Sequence, residues 1–169
     1  MIVDLANVSG SASYDFRITT ADFELDTPGV ALKSDVHVTC DIDRNIVETH
    51  VRGMIEADAE IDCTRCLQPV AEQLQIPFDV SFVAPEAFSD ESEVELKESD
   101  LGVDVVEGEQ IDLKELAREQ ILLSLPEQVV CREDCKGLCE KCGVNRNTDE
   151  CRCGGDDIDP RWAALKGLK

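Results

Sequence analysis

Apolar and polar residues alternate with a period of two through much of the first half of the chain. Val36, Val38, Cys40 and Ile42 alternate with His37, Thr39 and Asp41. After the turn signal Asp43-Arg44-Asn45 the alternation resumes. Val47, Thr49, Val51, Gly53, Ile55, Ala57, Ala59 and Ile61 share one side, and Glu48, His50, Arg52, Glu56, Asp58, Glu60 and Asp62 the other. A third run sets Leu74, Ile76, Phe78, Val80 and Phe82 against Gln73, Gln75, Asp79 and Ser81. Successive side chains of a strand point to opposite faces, so each run predicts a strand with one buried and one wet face. The second run reads as one strand, or as two with a break near Gly53. Pro77 predicts an edge or a bulge, because proline donates nothing to a ladder. One-faced strands build antiparallel sheets, and the expected architecture is a mostly antiparallel sheet or partial barrel.

The first 34 residues look irregular, with short strand-like pieces at "FRIT" and "VALK" and turns at Gly10, Pro28 and Gly29. Late in the chain the period changes. "IDLKELAREQILLSLP" carries Leu113, Leu116, Ala117, Ile121 and Leu125 as one apolar stripe. Asp112 can cap this helix, Glu115 can complete a capping box, and Pro126 stops it. A main helix over about 112–125 is therefore expected against the sheet, which makes the fold class α+β. A short final helix is expected in "DIDPRWAALKGLK", with Asp159 as N-cap, Pro160 in the first turn, and Trp162, Leu165 and Leu168 on one face.

Charge divides the chain into two regions. The 169 residues carry a formal net charge of −21. Residues 1–126 hold eight Lys/Arg against 28 Asp/Glu, whereas residues 127–169 hold eight against nine. We read 1–126 as an acidic β-rich body and 127–169 as a cysteine-rich tail ending in the short helix. Residues 86–112 contain eleven acidic residues and a single Lys97 and read as a solvated acidic loop rather than a docking site. A surface this acidic repels phosphate backbones and anionic membranes and favours basic partners. No apolar run is long enough to span a membrane, and the N-terminus has no basic, then apolar, secretory pattern. The expected setting is a reducing cytoplasm, where clustered cysteines favour metal or redox chemistry over disulfides.

Eight of the nine cysteines form close pairs: Cys63/Cys66, Cys131/Cys135, Cys139/Cys142 and Cys151/Cys153. Cys40 is alone on the apolar side of its strand and reads as core filler. Between Cys131 and Cys153 the only sizeable apolar side chains are Leu138 and Val144. Ordering each residue costs about 1–2 kcal/mol of backbone entropy, while a buried aliphatic side chain returns roughly 1.5–3 kcal/mol. A structural Zn²⁺, worth an apparent ~10–16 kcal/mol in small metal domains, would close that gap. Zinc takes four thiolates in a tetrahedron, and Cys139-x2-Cys142-x8-Cys151-x-Cys153 suits that geometry. Only "KGL" separates Cys135 from Cys139, a poor span for pairing those neighbours. Cys63, Cys66, Cys131 and Cys135 could instead form a second site that clamps the tail to the end of the sheet. Gly143 after the second cysteine is expected to help turn backbone N–H groups toward sulfur.

Iron–sulfur ligation ranks below zinc because the spacings match neither common ferredoxin pattern. "CTRC" lacks the βαβ setting of a thioredoxin-like motif. His37 and His50 lie on polar strand faces and read as surface residues. No phosphate-cradling glycine loop or nucleophile elbow is present. A closed four-thiolate zinc has no open position, so its role would be structural and the chain is expected not to be an enzyme.

The elements "CTRCLQPV", "IDLKELAREQILLSLPEQVVC", "CKGLCEKCGVNRN" ending in "CRC", and "DPRWAALKGL" resemble the YceD-type large ribosomal RNA subunit accumulation protein family, in order and relative spacing over roughly residues 30–169. The resemblance implies a bacterial-type cytoplasmic factor supporting accumulation or processing of large-subunit ribosomal RNA, with no established enzyme activity. Acidity favours action through a basic ribosomal protein or pre-ribosomal particle. Local RNA contact through Arg132, Lys136, Lys141, Arg146 and Arg152 is a further reading, although acidic residues interleave with them. The alternative function is a redox-sensitive zinc switch.

Overall fold

The computed structural model describes residues 1–45, 48–84, 103–106, 108–154 and 161. Its main body is a six-stranded sheet. β2 (Ser11–Ile18), β4 (Val36–Arg44), β5 (Glu48–Asp62), β6 (Pro69–Val83) and β7 (Val103–Val105) follow one another in that order, and β3 (Val30–Leu32) pairs with the far end of β5. All pairs are antiparallel except β6 with β7. No pairing closes β7 onto β2 among the described residues, so the sheet does not form a closed barrel. A separate two-stranded ribbon joins β1 (Ile2–Asp4) to β8 (Gln110–Asp112).

The long central hairpin follows from the alternation. β5 is one uninterrupted strand of 15 residues, with every residue from Glu48 to Asp62 paired to β6. Gly53 does not break it. A Cβ there would sit 2.1 Å from the Thr39 carbonyl oxygen and 2.8 Å from the Cys40 Cα, so the missing side chain lets β4 come close. Pro77 pairs with Met54 where β7, which reaches only Ser81–Val83, leaves β6 uncovered. That is the edge position proline tolerates.

The inward residues of β4, β5 and β6 form a single core with helix α1 (Leu113–Ser124). Val36, Ile42, Val51 and Ile55 have no exposed surface, and Leu113, Leu116, Ala117 and Ile121 of α1 are buried against β6 and β1. Asp112 caps the helix by accepting from the Lys114 N–H at 3.0 Å. Glu115 pairs with Arg118 at 2.9 Å, so the predicted box partner is engaged elsewhere. Cys40 is buried in this core, as expected of a filler.

Two expectations change. The irregular N-terminal stretch contains β1 and the eight-residue β2, of which "FRIT" is only the end. "VALK" marks the short β3. The acidic loop 86–112 ends earlier than expected, because β7 and β8 occupy 103–105 and 110–112. Residues 85–102, and the predicted final helix with its Asp159 cap, lie outside the described residues.

Candidate metal centres

The hairpin of β5 and β6 ends in the turn Cys63-Thr64-Arg65-Cys66-Leu67-Gln68. Here the Cys63 N–H donates to the Gln68 carbonyl at 2.8 Å, and the Leu67 N–H to the Cys63 carbonyl at 2.9 Å. The tail repeats the figure at Cys139-Glu140-Lys141-Cys142-Gly143-Val144. The Cys139 N–H donates to the Val144 carbonyl and the Gly143 N–H to the Cys139 carbonyl, both at 2.8 Å. The residue after the second cysteine is left-handed in each knuckle, Leu67 at φ 58° and Gly143 at φ 71°. Glycine adopts this conformation freely, whereas leucine does so at a cost.

The tail folds back so that each knuckle meets a second pair. Thr64 N–H donates to the Val129 carbonyl at 2.8 Å, and Leu138 N–H to the Arg65 carbonyl at 2.8 Å. Arg65 Nη1 donates to the Cys135 carbonyl at 3.1 Å. These contacts bring Cys131 and Cys135 to Cys63 and Cys66. Cys139, Cys142, Cys151 and Cys153 gather separately, and within each group of four the sulfurs all lie within 4.8 Å of one another. The eight predicted ligand cysteines thus sort into the two expected sets, and the neighbouring pairs Cys131/Cys135 and Cys139/Cys142 go to different sets.

The spacings fit a tetrahedral ion. Zn–S bonds of ~2.3 Å place sulfurs about 3.8 Å apart at the corners of a tetrahedron, whereas a disulfide needs ~2.05 Å. Cys63 and Cys135 are 3.9 Å apart, Cys66 and Cys131 3.6 Å, and Cys142 and Cys151 3.8 Å. Cys139 and Cys151 are closer, at 3.2 Å. All nine cysteines are free thiols. The first group is shielded, with Cys63, Cys66 and Cys135 buried. The second is more open, with no member buried and Cys142 exposed.

The thiols of each group divide their acidity unequally. Burial pushes Cys63 up, but the N–H groups of Cys131, Arg65 and Cys66 outweigh it and bring the thiol down to about 6. Burial and the facing Cys66, Cys135 and Cys63 push Cys131 up to about 12. In the second group the Cys142 N–H, the Cys151 thiol and the Lys141 N–H bring Cys139 down to about 6. Cys142 and Cys151, together with burial, push Cys153 up to about 12. The neighbours that face Cys63 and Cys139, namely Cys66 and Cys131 in one group and Cys151 and Cys153 in the other, are pushed up, since like charges this close cannot all ionise alone. Full ionisation of either group requires a cation, so both can hold a metal ion.

Gly143 acts as expected: its left-handed backbone lets the knuckle close and leaves the Cys142 and Lys141 amides at Cys139. Sequence reasoning missed two contributors. Gly137, also at φ 71°, packs against the Arg65 carbonyl, and its place between two cysteine pairs was the available signal. Asn147 Nδ2 donates to Cys135 Sγ at 3.3 Å, which no local pattern announces. His37 and His50 lie on the polar sheet face beside Asp15, Glu56 and Glu48, away from both cysteine groups, as expected.

The sequence profile described as large ribosomal RNA subunit accumulation protein YceD matches residues 51–169. An uncharacterized protein of Mycobacterium tuberculosis is 36% identical over 115 residues, covering 68% of this chain and 53% of that one. Proteins of Arabidopsis thaliana and Zea mays, both named large ribosomal RNA subunit accumulation protein YCED homolog 1, chloroplastic, are each 25% identical. They cover 79% and 93% of this chain and 48% and 63% of their own lengths. The chain thus spans about half the length of most curated relatives it matches. No solved structure matches it. The matched region takes in both knuckles, the capped helix and the whole cysteine tail, and the chain belongs to the YceD family of large ribosomal RNA subunit accumulation proteins.

Proposed function

We propose that this chain is a non-enzymatic factor that supports large-subunit ribosomal RNA accumulation through contact with a basic ribosomal protein or pre-ribosomal particle in the cytoplasm. In this reading two structural zinc ions hold its tail. The observation that carries the zinc assignment is the assembly of eight cysteines into two tetrahedrally spaced groups. Cys63, Cys66, Cys131 and Cys135 would hold one ion, and Cys139, Cys142, Cys151 and Cys153 the other. With four thiolates on each ion no position remains open for substrate, so the metal's part is to fix the chain.

The partner assignment rests on charge. The outer face of the sheet presents Asp41 of β4, Glu56 and Asp58 of β5 and Asp79 of β6 to solvent, against exposed Arg17 of β2 and Arg52 of β5. Metal loading sharpens the contrast with RNA binding. Four thiolates around one Zn²⁺ leave each filled site with roughly two units of negative charge. The tail, nearly balanced as neutral thiols, would then become acidic, and Lys136, Lys141 and Arg146 around the second group would offset thiolate charge rather than a phosphate backbone. No helix among the described residues is long and apolar enough to cross a membrane.

Affinity capture of the full-length chain from cells, at low and high salt, tests the partner reading. Basic ribosomal proteins or precursor particles are expected at low salt and fewer at high salt. Recovery of neither at either salt would overturn it. Metal analysis of anaerobically purified protein tests the zinc reading, with two equivalents per chain expected. The exposure of the second group favours one further reading, a redox switch. Hydrogen peroxide would accept two electrons from two of its thiolates and two protons from solvent, leaving as two waters, while the two sulfurs join in a disulfide and the ion is freed.

A further inference from the structure

The two cysteine groups are joined by one side chain. Asn147 belongs to the loop between Cys142 and Cys151, which the second group closes, yet its side chain serves the first. Its Nδ2 donates to Cys135 Sγ at 3.3 Å and to Asn145 Oδ1 at 2.9 Å, and its Oδ1 accepts from the Lys136 N–H at 2.8 Å. The Lys136 N–H can only donate, so the amide cannot be flipped and its NH₂ must face the sulfur. Asn145 Oδ1 also accepts from the Asn147 N–H at 3.0 Å, which sets the backbone from which the side chain reaches.

Val144 is the loop's one sizeable apolar residue, half-buried. The Cys139 N–H donates to the Val144 carbonyl at 2.8 Å and the Arg146 N–H to the Gly137 carbonyl at 3.0 Å, which together make the bridge between Leu138 and Asn145, and the Thr148 and Asp149 N–H groups turn back onto the Asn145 carbonyl at 3.2 and 2.9 Å. Closure of the second group pins both ends of this loop, at Cys142 and Cys151, and so steadies Asn147. An N–H bonded to a ligating sulfur stabilises the thiolate, and loss of such a partner typically weakens metal binding 10–100-fold.

We infer that Asn147 is a positioning residue that couples the two metal sites, so that filling the exposed site tightens the buried one. This rests on the metal reading above. Coupling of binding free energies is reciprocal, so a metal at Cys63, Cys66, Cys131 and Cys135 also favours the other site by the same factor. The buried site would be completed only when the loop of the exposed one has closed.

The test uses the full chain loaded with Co²⁺, whose thiolate charge-transfer bands report each tetrahedral site, with affinities set by chelator competition. Asn147→Asp keeps the acceptor for the Lys136 N–H but removes the donor to Cys135. Buried-site affinity with the exposed site filled is expected to fall 10–100-fold, while exposed-site affinity measured with the buried site empty should stay unchanged. If Asn147 served only to hold Lys136, this variant would keep its affinity, and that result overturns the proposal. Cys151→Ser with Cys153→Ser, which disables the exposed site, should weaken the buried site to a similar degree. Adding Asn147→Asp to that double variant should then change little; two independent losses that multiply would refute the coupling. A wild-type chain that binds no metal sinks the underlying reading. Two metals with buried-site affinity unmoved by Asn147→Asp sinks the coupling alone.

Discussion

Gly137→Ala and Gly143→Ala form a matched pair. Both glycines have φ 71°, a conformation that costs an L-residue about 1–2 kcal/mol. They differ in surroundings. A Cβ on Gly143 meets nothing within 4 Å, whereas one on Gly137 would stand 2.9 Å from the Arg65 carbonyl oxygen. That oxygen cannot retreat freely, because it accepts the Leu138 N–H at 2.8 Å, the bond that docks the tail on the hairpin turn. Losing it adds about 1 kcal/mol. Alanine recovers about 0.5 kcal/mol in either case by restricting the unfolded chain. Gly137→Ala should thus cost about 2 kcal/mol, and Gly143→Ala about 0.5–1.5 kcal/mol. Amide hydrogen exchange on the metal-loaded protein reads these as local openings. Protection of the Leu138 N–H should fall about 30-fold in Gly137→Ala, and that of the Cys139 N–H about two- to twelvefold in Gly143→Ala. Equal losses in the two variants would refute the assignment of the larger cost to the Arg65 contact.

Acidification should strip the metal. Cys63 and Cys139 are the easiest sulfurs to ionise, at about 6, while Cys131 and Cys153 hold protons up to about 12. Protons compete for every ligand, so binding releases protons and affinity rises with pH, and the fall should steepen below about 6, where Cys63 and Cys139 of the free protein also take up protons; a zinc indicator against pH checks the direction. Gly53→Ala would drive a Cβ into the β4 backbone and should cost about 3 kcal/mol or more in urea unfolding. Cys40→Ala should cost about 1 kcal/mol, the loss of a small buried group, and leave metal content unchanged by elemental analysis. Asp112→Ala removes the cap on the Lys114 N–H and should cost about 1 kcal/mol, again without metal loss.

Side-chain periodicity made the centre of the sheet legible. β4 and β5 bury one face along almost their whole length and β6 does so from Leu74 to Phe78 and again at Phe82, so their alternation shows. The capped helix was legible because Asp112, the apolar stripe and Pro126 agree. β2 was legible in principle, since Ala12, Tyr14, Phe16 and Ile18 alternate with polar residues. An edge strand leaves Ala12, Tyr14 and Phe16 only half-buried, and small Ala12 weakens the signal. β1, β7 and β8 are three residues each, too short for any period to register. The cysteine pairs could be sorted from chain spacing because tetrahedral closure restricts short spans. Asn147 could not, because its partner sulfur lies 12 residues away and is reached only once the tail has folded. Leu67 runs against expectation in another way: nothing in "CTRCLQ" warns that a leucine takes the glycine conformation, because the turn is imposed by the hairpin that carries it.

Cys63 and Cys135 stand 72 positions apart. An ion shared between them would turn the intervening chain, with β6, β7, β8 and α1, into a closed ring. A covalent staple over such a span removes on the order of 4 kcal/mol of freedom from the unfolded chain. Here the staple would be one that a chelator can open and a fresh ion can shut, and it could form only after the ribosome has released the C-terminal segment. Metal supply would then set how long the finished molecule lasts.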